Sequence, residues 1–275
     1  METLKSIFRF YVNSSIHVAL AISALVSVTF IKFEVTNGNM FLFLSFLGSI
    51  AAYNFVKYSN VSKLYHKRLA RSMKGIRFLT WFSLALFMYF AFKMSLKTLL
   101  YMFPFIVLTI LYVVPVFPNK SNLRNIAGVK IFIIAVVWTG ITVVVPVIYA
   151  EANMNFDFLI ETIQRFLFII VMMLPFEIRD LEYDSSSLET IPQTIGITRT
   201  KVFGSILLVV FLLLTAVKEL LSSVEILSTI LVTTISLLFL WGTEKEQSKY
   251  YCSFWVESVP IMWLIILVVL QNLFS

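Results

Sequence analysis

Long apolar runs separated by short polar connections set the pattern of this chain. A membrane-crossing helix needs about 20 apolar residues. Nine runs approach that length, near 12–33, 39–58, 76–95, 98–117, 128–150, 158–178, 202–220, 224–242 and 255–273. The third and fourth are divided only by a turn that Lys93 and Lys97 mark. The first is too long for a signal-peptide core and lacks a small-residue cleavage site, so it is expected to remain as a helix. Nothing in the chain alternates in the manner of an outer-membrane barrel strand. These runs predict a single all-α integral membrane domain over 1–275, about nine transmembrane helices around a central cavity.

Composition agrees with lipid as the solvent. The 275 residues are 59% hydrophobic and 13% charged, with a mean hydropathy of +0.91, whereas soluble domains are nearer a quarter charged. A single cysteine, Cys252, leaves no internal disulfide to form. The pI of about 9.4 does not point to nucleic acid, because the basic residues sit in short connections between apolar runs. Alternate connections, counted from the N-terminus, hold most of them. The others hold only Lys32, Lys93, Lys97, Arg165 and Lys218, five of the 22 Lys and Arg. Such a bias predicts a cytoplasmic N-terminus and a cavity open to the cytoplasmic side.

One stretch stands out against this background, Pro175-Phe-Glu-Ile-Arg-Asp-Leu-Glu-Tyr-Asp184 at the end of the sixth run. Glu177, Asp180 and Asp184 are spaced i, i+3, i+7, so a continuous helix would carry all three carboxylates on one side. Charge at the edge of a hydrocarbon slab is costly unless it lines a polar cavity or meets a cation. Arg179, on another side, could hold a phosphate or close an ion pair, and the carboxylates could hold a divalent metal. The plainer alternative is a set of solvated loop charges just outside the membrane. Pro175 removes one backbone hydrogen bond, often where a cavity opens.

Two further segments on the same side are rich in polar groups. Asn54 to Arg77 carries Lys63, His66, Lys67, Arg68, Arg71 and Lys74, which serve either as a topology signal with affinity for anionic lipid or as a basic lid that attracts a diphosphate. Leu111 to Lys130 carries Tyr112, Pro115, Arg124, Gly128 and Lys130, and Lys130 lies two residues into an apolar run, where it either snorkels or binds an anion. Tyr53-Asn-Phe-Val-Lys-Tyr58 ends the second run as Phe176-Glu-Ile-Arg-Asp-Leu181 ends the sixth, a weak repeat that would face two helix ends to one cavity. Elsewhere His17 is expected to be a hydrogen-bonded core residue, Trp241 and Trp255 to belong to an interfacial belt, and Glu151, Asp157 and Glu161 to be solvated on the far side. The glycosylation patterns at Asn13 and Asn60 fall on the cytoplasmic side and are discounted.

The run Arg179-Asp180-x-x-x-Asp184, followed by Thr190, Pro192 and Gly196, resembles the second aspartate-rich motif of the UbiA superfamily of membrane prenyltransferases. Tyr112 and Pro115, with Arg124, Gly128 and Lys130 after them, resemble the connection between that family's fourth and fifth helices, and the helix count extends the likeness over most of the chain. The resemblance implies transfer of a polyprenyl group from its diphosphate to an aromatic or lipid-quinone-type acceptor, with Mg²⁺ neutralising the leaving diphosphate. It implies Asp180 and Asp184 as catalytic metal ligands with Glu177 beside them. Arg179, Lys57, Lys130, Arg124 and Lys63 would contact the diphosphate, and Asn54, Tyr58 and Tyr112 would line the substrate cavity. Membrane lipid is the expected surrounding, a bacterial inner (plasma) membrane the expected location, and nucleic acid is no partner.

The first motif departs from the family. Laid on Asn54, the pattern Asn-Asp-x-x-Asp-x-x-x-Asp puts Phe55, Tyr58 and Ser62 where three carboxylates belong, and Lys57 is a new charge one turn after Asn54. A second Mg²⁺ would lack anionic oxygen ligands. Two readings follow. In one, Lys57 binds diphosphate directly and a single metal stays at Asp180 and Asp184. In the other, Lys57 pairs with one of those aspartates, and the chain is a catalytically silent relative that binds an isoprenoid lipid or a partner enzyme. A secondary transporter shares the helix count but would need more polar residues at mid-membrane than this sequence has.

Overall fold

The computed structural model describes residues 2–58, 73–116 and 122–274. The described residues form helices and no strands. In chain order these are α1 (Glu2–Asn13), α2 (Ile16–Lys32), α3 (Asn39–Tyr58), α4 (Met73–Ala91), α5 (Leu96–Val113), α6 (Lys130–Tyr149), α7 (Phe156–Asp180), α8 (Ile197–Thr215), α9 (Ser223–Trp241) and α10 (Tyr251–Phe274). Seven of them, α3 and α5 to α10, are long and apolar enough to cross a membrane, and the bent pair α1–α2 makes eight if it is one span. A helix sits on each of the nine apolar runs, but α4 is not in that set; Lys74 and Arg77 in its first turns lower its hydropathy.

The first run differs from expectation. It breaks at Ser14–Ser15, with Ser15 in the left-handed region at φ 62°, and α1 leaves α2 at 55°. His17 fastens the break as a hydrogen-bonded core residue. Its Nδ1 lies 2.7 Å from the Tyr11 hydroxyl and its Nε2 is 2.9 Å from the Phe254 carbonyl. The other boundaries are set by local chemistry. Ser95, Asn155 and Ser222 cap α5, α7 and α9 by accepting backbone N–H bonds from Thr98, Phe158 and Glu225, which satisfies donors that helix starts leave orphaned.

Helices adjacent in sequence pack side by side from α5 to α10, α10 closes on α2, and α2 packs on α3, which packs on α4. The ring is weakest between α4 and α5, which make only marginal contact. Helix α7 is central, packed against α6, α8 and α9, and Phe168, Ile169, Leu174 and Ile178 along it are fully buried. Gly204 lets α8 come close, since a Cβ there would lie 2.7 Å from Leu174 and 2.6 Å from Leu240.

Pro146 and Pro175 sit in differently shaped stretches of helix. Helix α6 widens into a π-turn at Gly140–Val144 just before Pro146. Within this turn the Thr142 carbonyl accepts the Thr29 hydroxyl at 2.6 Å from α2. Helix α7, by contrast, runs unbroken through Pro175 to Asp180.

Candidate functional site

The last turns of α3 and α7 end at the same place in the bundle, together with the connection after α5 and the start of α10. They enclose one end of a cavity of about 1330 Å³. Lys57, Arg124, Lys130, Glu177, Arg179 and Asp180 border that end, and Glu257 of α10 joins them. Further along, the wall is apolar: Leu44 of α3, Phe87 of α4, Met102, Phe105 and Ile106 of α5, and Ile141 of α6. Gly48 and Gly140 keep this part narrow-walled. A Cβ on Gly48 would lie 2.9 Å from the Phe87 ring, and one on Gly140 would overlap the Phe105 ring. The ends that the sequence repeat pairs, Tyr53–Tyr58 and Phe176–Leu181, both border the cavity.

The three carboxylates of the acidic stretch do not share one helix face, because α7 ends at Asp180. Asp184 lies one turn beyond, its N–H still bonded to the Asp180 carbonyl at 2.8 Å, and it does not border the cavity. Each acid already has a partner. Arg179 donates to both oxygens of Asp180, at 2.8 and 3.0 Å. Lys130 donates to Asp184 at 2.8 Å, and the Ile191 N–H reaches Glu177 at 3.3 Å. Arg179 therefore closes an ion pair with its sequence neighbour, and Lys130 is neither snorkelling nor free.

A divalent ion needs anionic oxygens converging on one point. Among the described residues no three His, Cys, Asp or Glu side chains are placed to share an ion. With Asp180 and Asp184 each held by a cation, Glu177, Asp180 and Asp184 do not fit a common Mg²⁺ ligand set in this arrangement.

The remaining expected residues divide clearly. Tyr58, Tyr112, Lys57 and Arg124 border the cavity, and the Tyr58 hydroxyl donates to the Asn13 carbonyl at 2.8 Å. Asn54 does not border it; its side chain is buried, and among the described residues neither amide atom has a hydrogen-bond partner. Lys63 lies outside the described residues. Lys57 pairs with neither aspartate, and among the described residues it makes no ion pair. The charged groups that act on it are Glu257 and Arg179. Tyr53 is held by the Trp138 indole N–H, which donates to its hydroxyl at 2.7 Å.

Glu257 was not among the residues the sequence singles out. Its signal was present all the same, since it is the one charged residue in the apolar run 255–273, where charge is expensive without a purpose.

The far end of the bundle corrects the expectation of solvated charges there. Glu151 is exposed, but Glu161 and Asp157 are buried. Glu161 accepts from Lys32 at 2.7 Å, Lys218 at 2.8 Å and Arg165 at 3.0 Å. Glu225 accepts from Lys32 and Lys218 at 3.0 and 2.6 Å. Asp157 receives the backbone N–H of Glu219 at 2.7 Å and of Leu220 at 3.0 Å, and the Lys32 and Arg165 cations lie over the Trp263 ring.

Comparison with known proteins adds no relative: no family model, no curated protein and no solved structure matches the chain.

Proposed function

We propose that this chain is a membrane prenyltransferase of nine spans, which takes a polyprenyl diphosphate and moves its polyprenyl group to a lipophilic, aromatic or lipid-quinone-type acceptor. One observation carries the reading: a single cavity with charged groups at one end and an apolar wall over the rest. That division matches an amphipathic isoprenoid, head at the ends of α3 and α7 and chain between α4, α5 and α6. The marginal contact between α4 and α5 suits a chain that enters from lipid. The resemblance of residues 175–196 to the second UbiA motif supplies the reaction class.

In this reading the head lies on the cytoplasmic side of a bacterial inner membrane, and the distribution of Lys and Arg supports that orientation. Three of the five minority cations, Lys32, Arg165 and Lys218, are held by Glu161 and Glu225. They are structural partners, so the bias among free connections is stronger than the raw count. Transfer breaks the allylic C–O bond, the electron pair leaves with the diphosphate, and the acceptor forms the new bond and gives up a proton. The chain's contribution is cationic groups near the departing charge and a wall that keeps water from the allylic cation. No step is assigned to Mg²⁺, because the acids are otherwise engaged.

A second reading has its own support. The ion pairs Arg179–Asp180 and Lys130–Asp184 leave the motif closed, as expected of a silent relative that only binds an isoprenoid lipid. Purified protein in lipid nanodiscs, given radiolabelled geranylgeranyl diphosphate and a panel of quinone-precursor acceptors, tests both. Binding with acceptor-dependent release of diphosphate supports transfer. Binding without release favours the silent binder, and absence of binding removes both.

A further inference from the structure

Among the described residues, two charged side chains at the mouth of the cavity have no fixed partner. Lys57 stands on the last turn of α3 and Glu257 on the first turns of α10, far apart in sequence, and both border the cavity. Among the described residues neither forms a hydrogen bond or an ion pair, whereas the neighbouring Asp180, Asp184, Arg179 and Lys130 are all committed. The cations that face Glu257 are Lys57 and Arg179. A lysine left unpaired beside an apolar chamber is available to an incoming anion, and an unpaired carboxylate opposite it repels one.

We propose that the charged end of the cavity is a metal-independent anion site, in which Lys57 is the contact for a phosphate or diphosphate group and Glu257 limits the negative charge the site accepts. This rests on the reading of the ligand as an isoprenoid with an anionic head. The physical basis is the donor set. Asp180 and Asp184 would each have to release a cation before ligating a metal, while Lys57 releases nothing to meet a phosphate oxygen. Glu257 makes the site selective: the anion must approach Lys57 against an opposing charge, so its full affinity requires the apolar chain as well as the head.

The test is equilibrium binding of geranylgeranyl diphosphate, geranylgeraniol and inorganic diphosphate to the full chain in nanodiscs, each with excess EDTA and with excess Mg²⁺. Geranylgeranyl diphosphate is expected to bind equally well in both conditions. Geranylgeraniol and inorganic diphosphate should each bind at least about tenfold more weakly, as expected when head and chain both contribute. Lys57→Gln should lower affinity for geranylgeranyl diphosphate by about tenfold or more, with Lys57→Arg restoring most of it. Glu257→Gln should raise that affinity and raise the affinity for inorganic diphosphate more. An unchanged thermal midpoint in each variant separates these effects from misfolding. Binding that EDTA abolishes overturns the proposal and leaves the prenyl reading intact. So does equal affinity for the diphosphate and the alcohol, or a Glu257→Gln variant that binds no better. If wild-type protein binds no isoprenoid of either kind, it is the functional reading that fails.

Discussion

Helix α7 carries charge at both ends, and the two ends do opposite things. At its start Glu161 and Arg165 keep 1% and 0% of their side-chain surface and pair with each other, and Glu161 also holds Lys32 and Lys218, which Glu225 shares. At its finish Arg179 and Asp180 keep 33% and 25% and face a cavity. The start is a closed network in which several helices share partners; the finish is an open one with room beside it. Charges of the first kind hold α2, α7, α8 and α9 in register. Charges of the second kind pair with each other and leave Lys57 and Glu257, beside them on the cavity wall, to meet a ligand.

The largest expected effect breaks the closed end. Glu161→Ala leaves Lys32, Lys218 and Arg165 buried around a missing partner, a loss of about 3–5 kcal/mol for removing one side of a buried pair. Thermal unfolding in detergent should show a large drop, while affinity for geranylgeranyl diphosphate, measured on the protein still folded at low temperature, should not change. Lys218 sets the pH range. Burial alone would lower its pKa, but Glu161 and Glu225 together hold it above the ordinary lysine value. A raised pKa means its contribution is fully present below the unfolded value and is lost only as pH rises through the folded one. Stability from this lysine should therefore be flat through neutral pH and decline only in strong alkali.

A smaller effect at the same end comes from Asp157→Ala. It leaves the N–H groups of Glu219 and Leu220 without their acceptor, which costs about 1–3 kcal/mol where such groups are buried. The connection from α8 to α9 should gain amide hydrogen exchange before any other part of the chain. Exchange confined to the α3 and α7 ends instead would mean that the open end, not this one, is the weaker.

How much of this was legible in the sequence differs between the two ends for a physical reason. Hydrophobic periodicity and run length mark helices directly, which is why α3, α7 and α9 fall close to their expected limits. The acidic stretch was visible because charges clustered in sequence must also be close in space. The closed network draws Lys32, Glu161, Lys218 and Glu225 from four separate segments, so nothing local distinguishes them from solvated loop charges. Asp184 was misplaced for the converse reason, since the spacing i, i+7 assumes a helix that in fact stops at Asp180. Glu257 sits 200 residues after Lys57, and only the closure of α10 on α2 brings it to the cavity.

The apolar part of the cavity offers a sharper contrast at moderate size. Ile106 of α5 borders it well away from the charged end. Ile106→Trp should exclude the far end of a long chain and leave the head untouched. Affinity for geranylgeranyl diphosphate should fall by about tenfold, given about 0.8 kcal/mol for each methylene removed from contact. Geranyl diphosphate should bind as before. Equal losses for the two ligands would place the chain elsewhere than between α4 and α5.

The smallest effect is expected at the rim of the open end, where an ion pair is present but should not matter. Lys245 and Glu182 meet at 2.9 Å, with 48% and 52% of their side-chain surface exposed. The hydrogen bond to Glu182 raises the lysine pKa, so the pair persists from neutral pH upward until that lysine loses its proton. Persistence is not stability, however, because water and salt screen an exposed pair and two long side chains lose freedom to form it. Glu182→Ala should leave the thermal midpoint and the affinity for geranylgeranyl diphosphate unchanged at low and at high salt. A loss of stability comparable to that of Asp157→Ala would erase the contrast between the two ends, since it would make the cavity rim a fastening of the fold.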